Sequence, residues 1–150
     1  MPKPSTPPFY PASFSFNVKV TGISGSFEGN FQEVSGISVK LNSEEVKEGG
    51  ENTFTRRLPL PPKYENLVLK RGMLLSSDLV DWARDAVESF KFKPKTVVVN
   101  LLDESQKPLA SWSFANAYPM AIKISDFKAQ EDAIAVETIE LAYENFTRTL

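Results

Sequence analysis

Between Phe14 and Thr21 the chain alternates, with Phe14, Phe16, Val18 and Val20 on one side and Ser15, Asn17, Lys19 and Thr21 on the other. A period of two sends successive side chains to opposite faces, so the segment reads as a strand with one buried face. Gly22, Gly25 and Gly29 then read as loop glycines. A second apolar series, Val34, Ile37, Val39 and Leu41, changes phase at Gly36 as at a bulge, and residues 31–48 together predict a long strand with a charged tip. A Gly49-Gly50 turn leads to a return strand over 54–58. Pro59, Pro61 and Pro62 lack backbone donors, which confines 59–62 to a loop or a sheet edge. Residues 67–70 form a further short strand.

One segment has helical spacing. Ser77 as N-cap, Asp78 and Asp81 in the first turns, and apolar residues at i, i+3, i+4 and i+7 predict a helix over about 77–90 with Leu79, Trp82, Val87 and Phe90 in its core face. Strands follow over 96–102, 109–114, 118–124 and 134–146, with a turn at 103–108. The last spans about thirteen residues against a usual five or six, and it sets Val136, Thr138, Glu140, Ala142 and Glu144 on one face. Such overlong, partly polar strands invite pairing with another chain. Five prolines among the first eleven residues make 1–12 an extended arm, leaving 13–150 as one domain. The fold class is mainly β, an antiparallel sandwich or barrel with one flanking helix.

Composition removes most chemistry. The 150 residues include no cysteine and no histidine. There is then no thiolate, no imidazole and no disulfide framework, and neither a cofactor nor a metal site is expected. The adjacent acids Glu44/Glu45, Asp103/Glu104 and Glu131/Asp132 point apart on strands or outward in turns, so none is a ready acid/base pair. A carboxylate-only hydrolase has no nominated residue. A net charge of -2 argues against nucleic acid as the main partner and against sequence-specific binding to it. Lys91, Lys93 and Lys95, interleaved with Phe92 and Pro94, read as a solvated edge. The apolar runs are too short to span a bilayer and the N-terminus has no signal-peptide core, so a soluble, cytosolic product is expected. The 11 Phe, 4 Tyr and 2 Trp leave open a monomeric barrel holding a small apolar ligand.

Several stretches together carry a family likeness: FQEVSGISV from Phe31, KEGG from Lys47, FTRRLP from Phe54, LKRG from Leu69, Asp81-Trp82, LLDE from Leu101, WSFANAYP from Trp112 and VETIELA from Val136. In this order they resemble the inner tail-tube proteins of contractile phage tails and of extracellular contractile injection systems, which are related to type VI secretion tube proteins. The likeness runs from about Phe14 to Arg148; Tyr118, where members often have Trp, and the longer Leu60-Pro61-Pro62 turn depart from it.

The resemblance implies a structural, non-enzymatic subunit. Its copies would close into hexameric rings around a shared β-barrel, and the rings would stack into a hollow conduit for cargo or DNA that sheath contraction drives through a target envelope. A minor paralogue joining tube to baseplate is the alternative. Implied partners are further copies of itself, sheath, baseplate or hub, and tube-terminator proteins. The chain would be made in a bacterial cytoplasm and assembled into a phage tail or an extracellular particle. The loop placed against the neighbouring ring would hold Glu44, Glu45, Lys47, Glu48, Gly49, Gly50, Glu51, Arg56 and Arg57. If the Glu140 and Glu144 face lined the lumen, the bore would be acidic.

Overall fold

A computed structural model describes residues 14–22, 27–46, 56–72, 78–125 and 135–150. The elements in order are β1 (Ser15–Val20), β2 (Phe27–Phe31), β3 (Glu33–Ser35), β4 (Val39–Val46), β5 (Arg56–Tyr64), β6 (Leu67–Gly72), α1 (Asp78–Ser89), β7 (Lys95–Leu102), β8 (Pro108–Ile124), β9 (Val136–Ala142) and β10 (Asn145–Arg148). The arm expected at 1–12 and the Ser77 cap lie outside the described residues.

Antiparallel pairing runs β2-β1-β7-β8-β9-β6-β3, with β10 also on β8, while β4 and β5 pair only with each other among the described strands. β2 and β3 stand at opposite ends of that order but are separated in the chain by Gln32 alone, so the sheet must roll until its ends meet. The Gln32 N–H donates to the Lys70 carbonyl at 2.9 Å and joins the two ends.

β8 makes the corner. Its first part pairs with β7 and β10 and its second part with β9. The change comes at Asn116, whose φ of 51° lies in the left-handed region that short amides tolerate best among non-glycine residues. Two strands expected at 109–114 and 118–124 are therefore one strand of 17 residues.

The reverse holds for the strand expected over 134–146. It breaks after Ala142, the Glu144 N–H donates to the Ala115 carbonyl at 2.9 Å, and β10 returns along β8. The long strand expected over 31–48 breaks at Gly36. Its φ is 86°, and a Cβ there would collide with the Asn66 carbonyl oxygen, so only glycine fits. Gly29, expected in a loop, pairs with Val18 inside β2. β5 runs through Pro59, Pro61 and Pro62, which a two-stranded ribbon tolerates because each strand has an outer edge without ladder bonds; the register slips between Leu41 and Ser43 opposite these prolines.

The core collects Val18, Val20, Leu67, Leu69, Val97, Val99, Phe114, Ile139 and Leu141 from the sheet, all 0% exposed. α1 caps this core with Leu79, Trp82, Ala83 and Ala86. Val87 and Phe90, expected in the same face, are 50% and 82% exposed. Val87 stands eight residues after Leu79, where 3.6-residue periodicity has drifted past the buried stripe, and Phe90 follows the helix end.

The Trp82 indole N–H donates to the Lys93 carbonyl at 2.9 Å, tying the helix to the approach to β7. Trp82→Ala is expected to destabilise the domain by about 3 kcal/mol, the low end for an aromatic truncation because the indole edge reaches the surface. Urea unfolding measures this, and a loss below about 1 kcal/mol would remove Trp82 from the core.

Candidate functional site

Among the described residues, three uncovered surfaces stand out. The first is the arm formed by β4 and β5, in which every residue but Tyr64 is exposed. Val39, Leu41, Val46, Leu58 and Leu60 are bare along it. Tyr64 anchors its root, with ring centroids 5.8 Å from Tyr143 and 5.3 Å from Phe146, and these rings pack on buried Phe114. The Tyr143 hydroxyl is buried without a hydrogen-bond partner among the described residues, and burial pushes its pKa up to about 12.

Of the loop residues expected to contact a neighbouring ring, Glu44 and Glu45 lie on β4 and Arg56 and Arg57 on β5. Glu45 stands opposite Arg57, with 3.9 Å between carboxylate and guanidinium. Both are largely exposed, so the pair adds about 1 kcal/mol or less to the monomer. Lys47, Glu48, Gly49, Gly50 and Glu51 lie outside the described residues.

The second surface is the outer face of the sheet formed by β3, β6, β9 and the second part of β8. Register places Glu33, Lys70, Thr138 and Lys123 in one row, and Ser35, Val68, Glu140 and Ala121 in the next. Glu33 and Lys70 are 3.9 Å apart, and Glu140 accepts a hydrogen bond from the Asn66 amide at 2.9 Å. Glu144 is not on this strand; it sits past the end of β9 and accepts from the Asn116 amide at 2.6 Å. The expected acidic face is thus corrected, because Lys70 and Lys123 balance Glu33 and Glu140 across these rows. Sequence reading missed those lysines because facing strands are far apart in the chain.

On the opposite, inward side of the same sheet, Arg71 and Glu137 are paired across β6 and β9 at 3.2 Å and both are buried. Arg71 also lies over the Phe31 ring, 4.9 Å from its centroid. Period-two alternation put Glu137 on the apolar face, which was the signal available in the sequence.

The third surface surrounds the exposed ring of Phe90, where α1 ends. Among the described residues no group of acids could hold a metal ion. Polar, charge-balanced strands, an arm without a core and uncovered aromatic rings together suit contact between protein surfaces rather than chemistry on a small molecule.

The sequence model of the T4-like virus tail tube protein gp19 family matches residues 12–147. The chain belongs to that family. This tail tube protein has the structural role of an inner-tube subunit, and its β-rich fold with one helix is the tube-protein fold. A chain in the baseplate of the anti-feeding prophage, six-fold symmetrised, is 28% identical over 96% of this chain and 96% of its own, with a TM-score of 0.80. A chain of the sheath–tube complex of the extracellular contractile injection system PVC, in the extended state, is 23% identical over 89% of this tube protein and 87% of that chain, with a TM-score of 0.73. The Hcp1 protein from Flavobacterium johnsoniae shares the fold at 14% identity, covering 90% of this chain and 94% of its own, with a TM-score of 0.54. Comparison with curated protein sequences finds no match.

Proposed function

We propose that six copies close into a ring, that the outer face of the β3-β6-β9-β8 sheet lines its bore, and that rings stack through the β4–β5 arm. The observation that carries this is the uncovered sheet face. It is polar and charge-balanced, and among the described residues no helix covers it, whereas the opposite face is buried in the core of the barrel. A barrel closed across subunits leaves no free strand edges, which is how such sheets escape uncontrolled pairing. The six-fold symmetrised assembly of the 28%-identical chain supports the ring number.

The tube would be a passive conduit, without catalysis, cofactor or sequence-specific nucleic-acid contact. Its partners would be its own copies, sheath, baseplate or hub, and a terminator protein, with cargo or DNA in the lumen. Synthesis in a bacterial cytoplasm would precede assembly into a phage tail or an extracellular particle. A ring at the baseplate end is the second reading, favoured by the baseplate origin of that same relative. Copy number per purified particle separates the two, since a main tube needs many rings and a baseplate adaptor one or two.

The cysteine-free chain makes the bore directly testable. Lys123→Cys on the sheet face and Asp81→Cys on α1 each create a single labelling site. In assembled tubes a small maleimide is expected to label both, and a maleimide carrying a polymer wider than the bore is expected to label only Asp81→Cys. Equal labelling of both by the wide reagent would place the sheet face outside the tube.

A further inference from the structure

α1 ends on an unusual residue. After Ser89 the chain turns with Phe90 at φ 53°, and the Lys91 N–H donates back to the Asp85 carbonyl at 3.0 Å. A left-handed residue just past a helix is ordinarily glycine, sometimes asparagine, because a side chain there strains the backbone. Here the side chain is phenylalanine, and its ring is 82% exposed. Neither backbone preference nor burial in the monomer accounts for it. The ring is nonetheless held in place: Phe90 meets Phe92 edge-on at 4.9 Å, and Phe92 meets Tyr118 edge-on at 5.8 Å. Val87 is half exposed on the last turn of the helix. Strain kept at a position where glycine would relieve it points to a role outside the folded monomer.

We infer that the Phe90, Phe92 and Tyr118 rings receive the β4–β5 arm of a second copy, an assignment that rests on the tube reading and names the acceptor for its arm. The arm is the complementary uncovered element. An isolated two-stranded ribbon is marginal in water, and this one pairs with no other strand among the described residues. Past its register slip one face carries Glu44, Val46, Leu58 and Arg56. Val46 and Leu58 supply exposed apolar area for the rings. Glu44, on the same face as Val46 and Leu58, answers the exposed Lys91 and Lys93 beside Phe90 and Phe92, while Arg56 on that face answers the exposed Asp85 of the helix. Apolar contact framed by opposite charges supplies affinity at the centre and register at the rim.

Two sets of variants test this in the full chain. Phe90→Gly removes the ring and relieves the left-handed strain together. Its monomer is expected to melt no lower than the parent, while the concentration needed for tube assembly rises at least about tenfold. Lys91→Glu with Lys93→Glu, and separately Glu44→Lys, are each expected to weaken assembly, and combining all three is expected to restore much of it. Assembly is read by sedimentation and electron microscopy.

Normal assembly of Phe90→Gly, or a combined charge-swap variant no better than its worse parent, would overturn the assignment while leaving the tube role intact. Normal tubes from Phe90→Gly that no longer bind sheath would also overturn it, giving the patch to a different protein. A parent chain that stays monomeric at every concentration would remove the tube reading, and this assignment with it.

Discussion

Replacing Glu137 with leucine is expected to destabilise the folded domain by about 3–5 kcal/mol, the range for removing one partner of a buried ion pair. Arg71 would remain 3% exposed, its carboxylate partner gone. The attraction at 3.2 Å to this carboxylate would then be lost from what offsets the desolvation of the guanidinium, and the cation–π contact with the Phe31 ring makes up only a small part of that loss. Domains of this size are stable by about 5–15 kcal/mol, so much of the margin would go. Changing both partners, Arg71→Met with Glu137→Leu, should recover most of the loss, because apolar pairs of similar volume often equal or exceed a buried ion pair. Glu45→Ala is the control. Its pair with Arg57 is exposed, and the change should move stability by about 1 kcal/mol or less. Urea unfolding of dilute, unassembled protein compares the three, and a Glu137→Leu loss no larger than that of Glu45→Ala would show that the buried pair contributes nothing.

These two pairs also mark how far the chain could be read without its structure. Strand faces were legible wherever alternation was unbroken: Val18 and Val20, Val97 and Val99, and Glu137, Ile139 and Leu141 follow period two and point inward. What the alternation could not carry was the neighbour of each strand. Asn116 and Gly36 move the chain from one partner strand to another, and their effects depend on left-handed backbone and on contacts with residues about thirty positions away. Two strands therefore read as one at 134–146, and one read as two at 109–124.

The same limit applies to the surfaces. Glu140 and Glu144 are visible in one segment, but the balancing Lys70 and Lys123 arrive on β6 and β8 through register alone. Phe90 fits an apolar stripe by spacing, yet it lies one residue beyond the helix that would have buried it. The arm was legible as a charged hairpin. Its isolation was not, because only the pairing pattern shows that β4 and β5 have no third strand among the described residues.

That isolation sets up the other large effect, which falls on assembly rather than on folding. Glu44 and Leu58 face each other directly across the arm, so Glu45 to Arg57 can be replaced by Asn-Gly, a two-residue turn that suits a hairpin at that register. None of the removed residues that the structure describes belongs to the core, and the Tyr64 anchor at the root is kept. The shortened chain should melt within about 0.5 kcal/mol of the parent, as for surface changes generally. Stacked tubes should be lost, because removing a central contact of about 2 kcal/mol raises the required concentration roughly thirtyfold, and a stack repeats that contact at every subunit.

The form of the loss locates the contact. Rings that persist without stacking place the arm on the axial interface, whereas monomers alone would place it within the ring, and undisturbed tubes would remove the arm from assembly altogether. Because the arm and the Phe90 rings are assigned to one contact, their losses must not add. Phe90→Gly should have little further effect in the shortened chain, and a full additional loss there would mean that the rings serve a separate interface.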